Sequence, residues 1–325
     1  MKTLVTGCSG TLGAATAYAL ASAGHTVLAL AHRRPLPRLR EAGVAAVPGS
    51  LGSAAQLADH ADELDGLDAV VHCAFDWRRS PPGHFERTNV DGALALFQAA
   101  EKLGARRFVQ VSSVMAYGLA IGRAAQPVAE AAPLVGPSTA LDRYAAVKAQ
   151  LEQRLADAAQ AARCDVVAVR PGLIFTDEQL PLVRVLGNGA RRAALLGGTG
   201  RNHLPYVHAD DVAALIVRVL GADRAAPAYN ATPTHRLPTA AVARAWLRAR
   251  GARPLVVPMR TLPLEAAVLA SAAARAARSG TWQAPNLRYG RMRTNRNIVY
   301  SNERAASELG WEDTVTAATL RGDHG

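Results

Sequence analysis

Tyr144 and Lys148, in Leu141-Asp-Arg-Tyr-Ala-Ala-Val-Lys148, are the residues of this chain whose types and spacing could do chemistry. Positions four apart share a helical face, so the ammonium can sit beside the phenol. An unperturbed tyrosine titrates near pH ~10 and is a poor acid or base at neutral pH. A neighbouring cation favours its phenolate and lowers that value. The same spacing also describes an exposed helical face, so the surrounding elements decide.

Those elements alternate. Lys2–Thr6, Thr26–Ala31, Val44–Val47, Ala69–Cys73, Arg107–Ser112 and Asp165–Arg170 are short β-branched or apolar runs, and Ala/Leu-rich stretches long enough for helices separate most of them. Nearly all-apolar strands between helices predict a parallel sheet covered on both faces. The expected fold is α/β, a Rossmann-like doubly wound parallel sheet, with ligands at the carboxyl ends of its strands. Beyond Gly172 prolines and glycines become frequent. Residues 1–172 are therefore read as the cofactor domain. Residues 173–325 are read as a smaller, mainly helical C-terminal substrate lobe that sends Leu204–Val207 and Ala228–Asn230 back to the sheet.

Composition narrows the function classes. Half of the 325 residues are hydrophobic, ample for a buried core. Cys8, Cys73 and Cys164 are scattered, with no metal-ligand spacing, which favours a reducing compartment over a disulfide framework. The chain opens on a strand, so no signal peptide is expected. The apolar stretch Leu262–Ala274 is interrupted by Pro263 and Glu265 and is too short to span a bilayer. These features predict a cytoplasmic protein without a membrane partner. The formal charge of +11 comes mostly from dispersed arginine, densest between Arg275 and Arg296. No zinc spacing, recognition helix or aromatic-basic motif accompanies it, so no nucleic-acid partner is expected.

The first strand runs into Gly7-Cys-Ser-Gly10-Thr-Leu-Gly13 and then a helical segment. Glycines there let the backbone approach a pyrophosphate held at the helix N-terminus. The second strand ends Ala31-His32-Arg33-Arg34, without the acidic residue that hydrogen-bonds an NAD ribose. Guanidiniums suit a phosphomonoester, so NADP(H) is expected, with Arg33 or Arg34 on its 2′-phosphate. Ordinary loop arginines are the plain alternative.

With these residues in hand the chain resembles the extended short-chain dehydrogenase/reductases, the NAD-dependent epimerase/dehydratase family. The likeness runs through the glycine loop, Val70-Val-His-Cys-Ala74, Asn89-Val-Asp-Gly92 and Val111-Ser-Ser-Val-Met-Ala-Tyr-Gly118. It continues through Tyr144-x-x-x-Lys148, Arg170-Pro-Gly172, Tyr206-Val-His-Ala-Asp-Asp-Val212 and the segment Tyr300–Trp311. The resemblance implies that Ser113 hydrogen-bonds the substrate oxygen, that Tyr144 donates or accepts the proton, and that Lys148 lowers its pKa and binds the nicotinamide ribose. The implied cofactor contacts are Gly7, Ser9, Gly10, Thr11, Leu12, Gly13, His32, Arg33, Arg34, Ser50, Leu51, Cys73 and Ala74. Asn89, Ser112, Tyr144, Lys148, Pro171, Gly172 and Ile174 complete them. Ser50 stands where the family usually has an Asp near the adenine, so that contact is expected to be weaker or water-mediated.

Several tempting residues have plain readings. Ser112 and Ser113 could simply terminate a strand. Asp210 and Asp211 look like paired carboxylates but read as caps of the following helix. His208 is read as structural, His72 as a satisfied core histidine and Cys73 as inert.

The expected reaction is reduction of a ketone by NADPH, or the reverse alcohol oxidation, on a small-molecule carbonyl or alcohol substrate. No acidic residue lies in Ser113–Tyr117, which disfavours dehydration. A nucleotide-sugar epimerase or 4-ketoreductase is the rival, with Arg291 as the diphosphate contact. Against it stand apolar pocket candidates Phe75, Trp77, Met115, Phe175 and Tyr206, which equally suit a core. A non-catalytic NADP-sensing protein is a third reading, and the intact Ser113, Tyr144 and Lys148 argue against it. The resemblance leaves a homodimer open.

Overall fold

The computed structural model describes residues 1–31, 36–51, 57, 59–78, 83–118, 126–136, 142–186, 191–259, 261–279 and 297–314. Its main sheet contains β1 (Lys2–Thr6), β2 (Thr26–Ala31), β3 (Ala45–Pro48), β4 (Ala69–His72), β5 (Arg107–Val111), β6 (Asp165–Pro171) and β11 (Ala228–Ala231). All pair in parallel, in the order β11-β6-β5-β4-β1-β2-β3. Successive residues of a strand point to opposite faces. Leu4, Val70 and Phe108 therefore enter one core, and Val5, Val71 and Val109 enter the other. Both faces are buried, which is why these strands read as continuous apolar runs.

Helices cover the two faces. α1 (Thr11–Ser22), α2 (Pro37–Glu41) and α3 (Ala61–Leu64) join the first strands, and α4 (Gly92–Lys102) follows β4. A π-helical segment, Arg87–Asp91, leads into α4. α5 (Arg143–Ala159) carries Tyr144 and Lys148 and sends Val147, Leu151 and Leu155 into the core beneath the sheet. α1 packs on the opposite face against α6 (Ala209–Gly221).

The strand order reverses between β1 and β4. The connections from β1 lead outward to β2 and β3, and those from β4 lead the other way, so a crevice opens at the carboxyl ends of these two strands. The glycine loop leaves β1 at that point.

After β6 the chain forms β7 (Leu173–Phe175), β8 (Val183–Leu186), β9 (Arg191–Gly197) and β10 (Tyr206–His208). Later come α7 (Thr239–Arg248), β12 (Arg253–Met259), α8 (Thr261–Ser279) and α9 (Glu303–Leu309). β8, β9 and β12 make a three-stranded sheet, against which α7 packs. The lobe therefore adds a small sheet to its helices. The expected return of Ala228–Asn230 to the main sheet occurs as β11 beside β6. The other expected return does not: β10 pairs with β7 in a separate two-stranded sheet. Tyr206 hydrogen-bonds Pro181 from that position and stays with the lobe core.

Among the described residues, no helix is long and apolar enough to cross a membrane.

Candidate active site

The floor of the crevice is backbone. Gly7 has φ +76°, and a Cβ there would lie 2.7 Å from the Ala74 nitrogen. A Cβ on Gly13 would lie 2.2 Å from the Gly7 oxygen. Glycine is therefore required at both positions, by conformation at one and by close approach at both. The turn closes with Gly10 N–H donating to the Gly7 carbonyl at 2.8 Å. α1 begins at once with Thr11, Leu12 and Gly13, whose N–H groups have no carbonyl partner one turn back within the helix. A cleft of about 370 Å³ opens over the loop, lined by Thr6, Gly7, Ser9, Leu30, Ser50, Leu51 and Ala74, among others. This open helix N-terminus over a glycine-rich turn fits a dinucleotide pyrophosphate. Leu12, like Cys8, is buried in the core, whereas Ser9, Gly10 and Thr11 are exposed.

Asn89 turns away from the cleft. Its Oδ1 accepts the Asp76 N–H at 2.7 Å, and its Nδ2 donates to the carbonyls of Asp76 and Phe85, each at 2.8 Å. The π-helical segment thus clamps the loop that leaves β4. Asp76, in that loop, accepts from Arg78 and His84 at the cleft rim. Hydrogen bonds from Arg78 hold the Asp76 carboxyl well below the usual carboxylate range.

Lys148 is 4 % exposed, and its Nζ donates to the Val111 carbonyl at 2.7 Å. Burial pushes its pKa down to about 8. Its Nζ lies 4.6 Å from the Phe75 ring centre and 5.8 Å from that of Tyr144. Phe75 meets Tyr144 edge-on at 5.0 Å, and Trp77 stacks on Tyr144 at 5.0 Å with 17° between planes. The loop after β4 therefore walls the phenol with two aromatic rings. Ser113 is buried at the end of β5, where its Oγ accepts the Met115 N–H at 3.1 Å and caps the short turn Val114–Tyr117. α5 packs directly on that turn, bringing the elements of Ser113, Tyr144 and Lys148 together.

Other candidates fall elsewhere. Met115 is half-buried on the capped turn. Phe175 and Tyr206 lie in the lobe core, in edge contact at 6.4 Å, and do not extend the wall formed by Phe75 and Trp77. Pro171 ends β6, Ile174 packs on the core, and a Cβ on Gly172 would meet the Pro205 carbonyl oxygen at 2.0 Å. Ser112 is hydrogen-bonded to Glu152. Cys73 borders the core, with burial pushing its thiol up to about 12. His32, Arg33, Arg34 and Arg291 lie outside the described residues.

His208 is the helix cap: its Nδ1 accepts the Asp210 N–H at 3.3 Å. Asp211 instead binds Thr314 through its N–H and hydroxyl, at 3.0 and 2.7 Å. The expected capping role of the two aspartates is thus corrected, because the histidine one position before the helix reaches the free N–H first. His72 accepts or donates through Nδ1 to Thr6 Oγ1 at 2.9 Å, and burial pushes its pKa down to about 3.

Sequence reading missed the buried Glu152–Arg170 pair beneath this site. The available signal was spacing, since Glu152 follows Lys148 by four residues on the same helix.

The family model for NAD dependent epimerase/dehydratases matches residues 3–232. The chain belongs to that family. Family relatives include the 2-alkyl-3-oxoalkanoate reductase of Stenotrophomonas maltophilia, 35% identical over 66% of this chain and 63% of that protein. Another is the ceramide reductase of Caulobacter vibrioides, 30% identical over 66% of this chain and 59% of that one. The matches thus span about three fifths of these relatives. A short-chain dehydrogenase/reductase superfamily protein from Agrobacterium tumefaciens, solved with bound NAD, shares the fold with a TM-score of 0.71. It is 21% identical, over 99% of this chain and 95% of that one. Among the proteins this chain resembles are some whose names are those of reductases and of a UDP-glucose 4-epimerase.

Proposed function

We propose that this chain is an NADPH-dependent ketoreductase acting on an apolar ketone. The observation that carries the reading is the Lys148 ammonium, buried against the Val111 carbonyl beside a Tyr144 ring that is walled by Phe75 and Trp77. A cation there favours the phenolate of Tyr144 and so eases proton release from it. An aromatic wall suits the apolar arm of a ketone better than a sugar ring bristling with hydroxyls.

A nicotinamide cofactor bound in this cleft would supply the hydride for the carbonyl carbon. Tyr144 releases its phenolic proton to the carbonyl oxygen as negative charge builds there. Ser113 gives that oxygen a second hydrogen bond, most effective when the charge develops. Lys148 holds positive charge beside the phenolate left behind. The glycine loop and the start of α1 would hold the pyrophosphate, and Thr6, Ser9, Ser50, Leu51 and Ala74 are among the residues that line the cleft.

NADP(H) is favoured because β2 ends at Ala31, and two arginines follow in the sequence. Asp76, the acidic residue on the described cleft wall, is already engaged by Arg78 and His84. The name of one relative, a 2-alkyl-3-oxoalkanoate reductase, fits a carbonyl on an alkyl chain.

The test is a panel of long-chain and aryl ketones and of UDP- and dTDP-sugars, each with NADPH and with NADH, followed by nicotinamide absorbance. Ketone-dependent oxidation of NADPH is expected. Turnover confined to nucleotide sugars, or tighter binding of NADH than NADPH, would overturn the reading.

A further inference from the structure

Glu152 is a buried carboxylate that the chemistry above does not use. It lies on α5 one turn beyond Lys148 and two beyond Tyr144, so the three share a face. Its carboxylate accepts a hydrogen bond from Ser112 Oγ and grips the Arg170 guanidinium, with Nε at 3.0 Å and Nη2 at 2.7 Å. Arg170 Nη1 donates to the Tyr117 hydroxyl at 2.6 Å and the Glu130 carbonyl at 2.9 Å. The Tyr117 hydroxyl in turn donates to Asn230 Oδ1 at 2.8 Å, and Asn230 N–H donates to Glu130 Oε1 at 2.9 Å. All of these residues are buried.

One carboxylate therefore joins three parts of the site. Ser112 adjoins Ser113 at the end of β5, and Arg170 adjoins Pro171 at the end of β6. Glu152 itself stands on the helix that carries Tyr144 and Lys148. A buried ion pair returns little net stability over a well-packed apolar pair, because both charges must be desolvated. Geometry is the better account of this one.

We propose that Glu152 is a positioning residue, which registers Ser113 against Tyr144 and Lys148 through Ser112 and Arg170 and sets a carboxylate beside the Lys148 ammonium. The proposal rests on Tyr144 and Lys148 forming the proton-delivery pair. Lys148 faces His72 and Cys73 from the end of β4, the Val111 carbonyl from β5, and Tyr144 and Glu152 from its own helix. Burial keeps His72 neutral and Cys73 a thiol near pH 7. Glu152, paired with Arg170, supplies the carboxylate on that side.

The experiment uses the full chain with ¹³Cε-labelled lysine, where Lys148 is accompanied by Lys2 and Lys102 alone. Glu152→Gln keeps the shape and removes the charge. The Lys148 resonance, assigned with Lys148→Arg, is expected to titrate about one pH unit lower in the variant than in the wild type. An unchanged Lys148 titration with a lowered melting temperature would overturn the proposal and leave only a structural pair. Ser112→Ala, which leaves the ion pair intact, is read alongside. A kcat on a ketone about tenfold lower at unchanged KM supports the proposal, and an unchanged kcat overturns it even where Glu152→Gln does not fold. The titration needs no substrate, so a failure of the ketone panel counts against the ketoreductase reading alone.

Discussion

The indole of Trp77 lies flat on the phenol ring of Tyr144, with ring centres 5.0 Å apart and planes 17° from parallel. Trp77 is 62 % exposed, so this wall faces outward, where a substrate would arrive. Trp77→Ala removes it without touching the phenol. A stacked aromatic contact is worth about 0.5–1.5 kcal/mol beyond its buried area. KM for an apolar ketone is therefore expected to rise about threefold to tenfold, with kcat changed much less. A large fall in kcat with steady KM would mean that the indole orients Tyr144 itself.

Tyr144→Phe keeps the ring and both aromatic contacts but removes the proton. Loss of a general acid lowers turnover by about 10²- to 10⁴-fold. Stopped-flow reduction kinetics check this, together with NADPH fluorescence titration, which should give nearly the wild-type affinity.

The charge on Lys148 is expected to set an alkaline limit. Its pKa in the folded protein is about 8, below the usual lysine value, because burial disfavours the ammonium. The ammonium is present below that pH and lost above it, so kcat for reduction should fall as pH rises through about 8. Lys148→Met should flatten this limb and lower the plateau. A wild-type profile level to pH ~10, the unperturbed lysine range, would separate Lys148 from catalysis.

Two glycines with positive φ make a controlled comparison. At Gly7 a Cβ would collide with the Ala74 backbone, whereas at Gly24, φ +82°, it would meet nothing within 4 Å. Gly24→Ala should cost about 1–2 kcal/mol of backbone strain and leave NADPH affinity unchanged. Gly7→Ala should cost more and weaken cofactor binding as well, since the loop must move. Thermal melts with and without NADPH distinguish the two.

Asn89→Ala releases the three hydrogen bonds that fasten the loop after β4. The Phe85 carbonyl is buried and the Asp76 N–H and carbonyl partly so, and each loses this partner, at up to about 1–3 kcal/mol for a buried group left unsatisfied. Lower melting temperature together with weaker NADPH binding is expected. A destabilised variant with unchanged affinity would show that the clamp serves the fold only.

Much of the architecture was legible because it follows from local rules. The apolar runs that become β1, β2, β4, β5 and β6 start where the sequence reading expected, because a strand buried on both faces must be apolar at nearly every position. The lobe was harder to read, since β10 is short and its partner is settled by packing of Phe175, Tyr206 and Trp246.

What the sequence determined alone was whatever depends on neighbours in the chain: the glycine turn between strand and helix, and the shared helical face of Tyr144 and Lys148. The tertiary structure decided what those residues touch. Trp77 reaches Tyr144 from the loop after β4, Ser112 and Arg170 meet at Glu152 from two strands, and His208 takes the cap ahead of both aspartates. Most of these contacts join residues far apart in the chain, through burial and strand order, and no local periodicity encodes them.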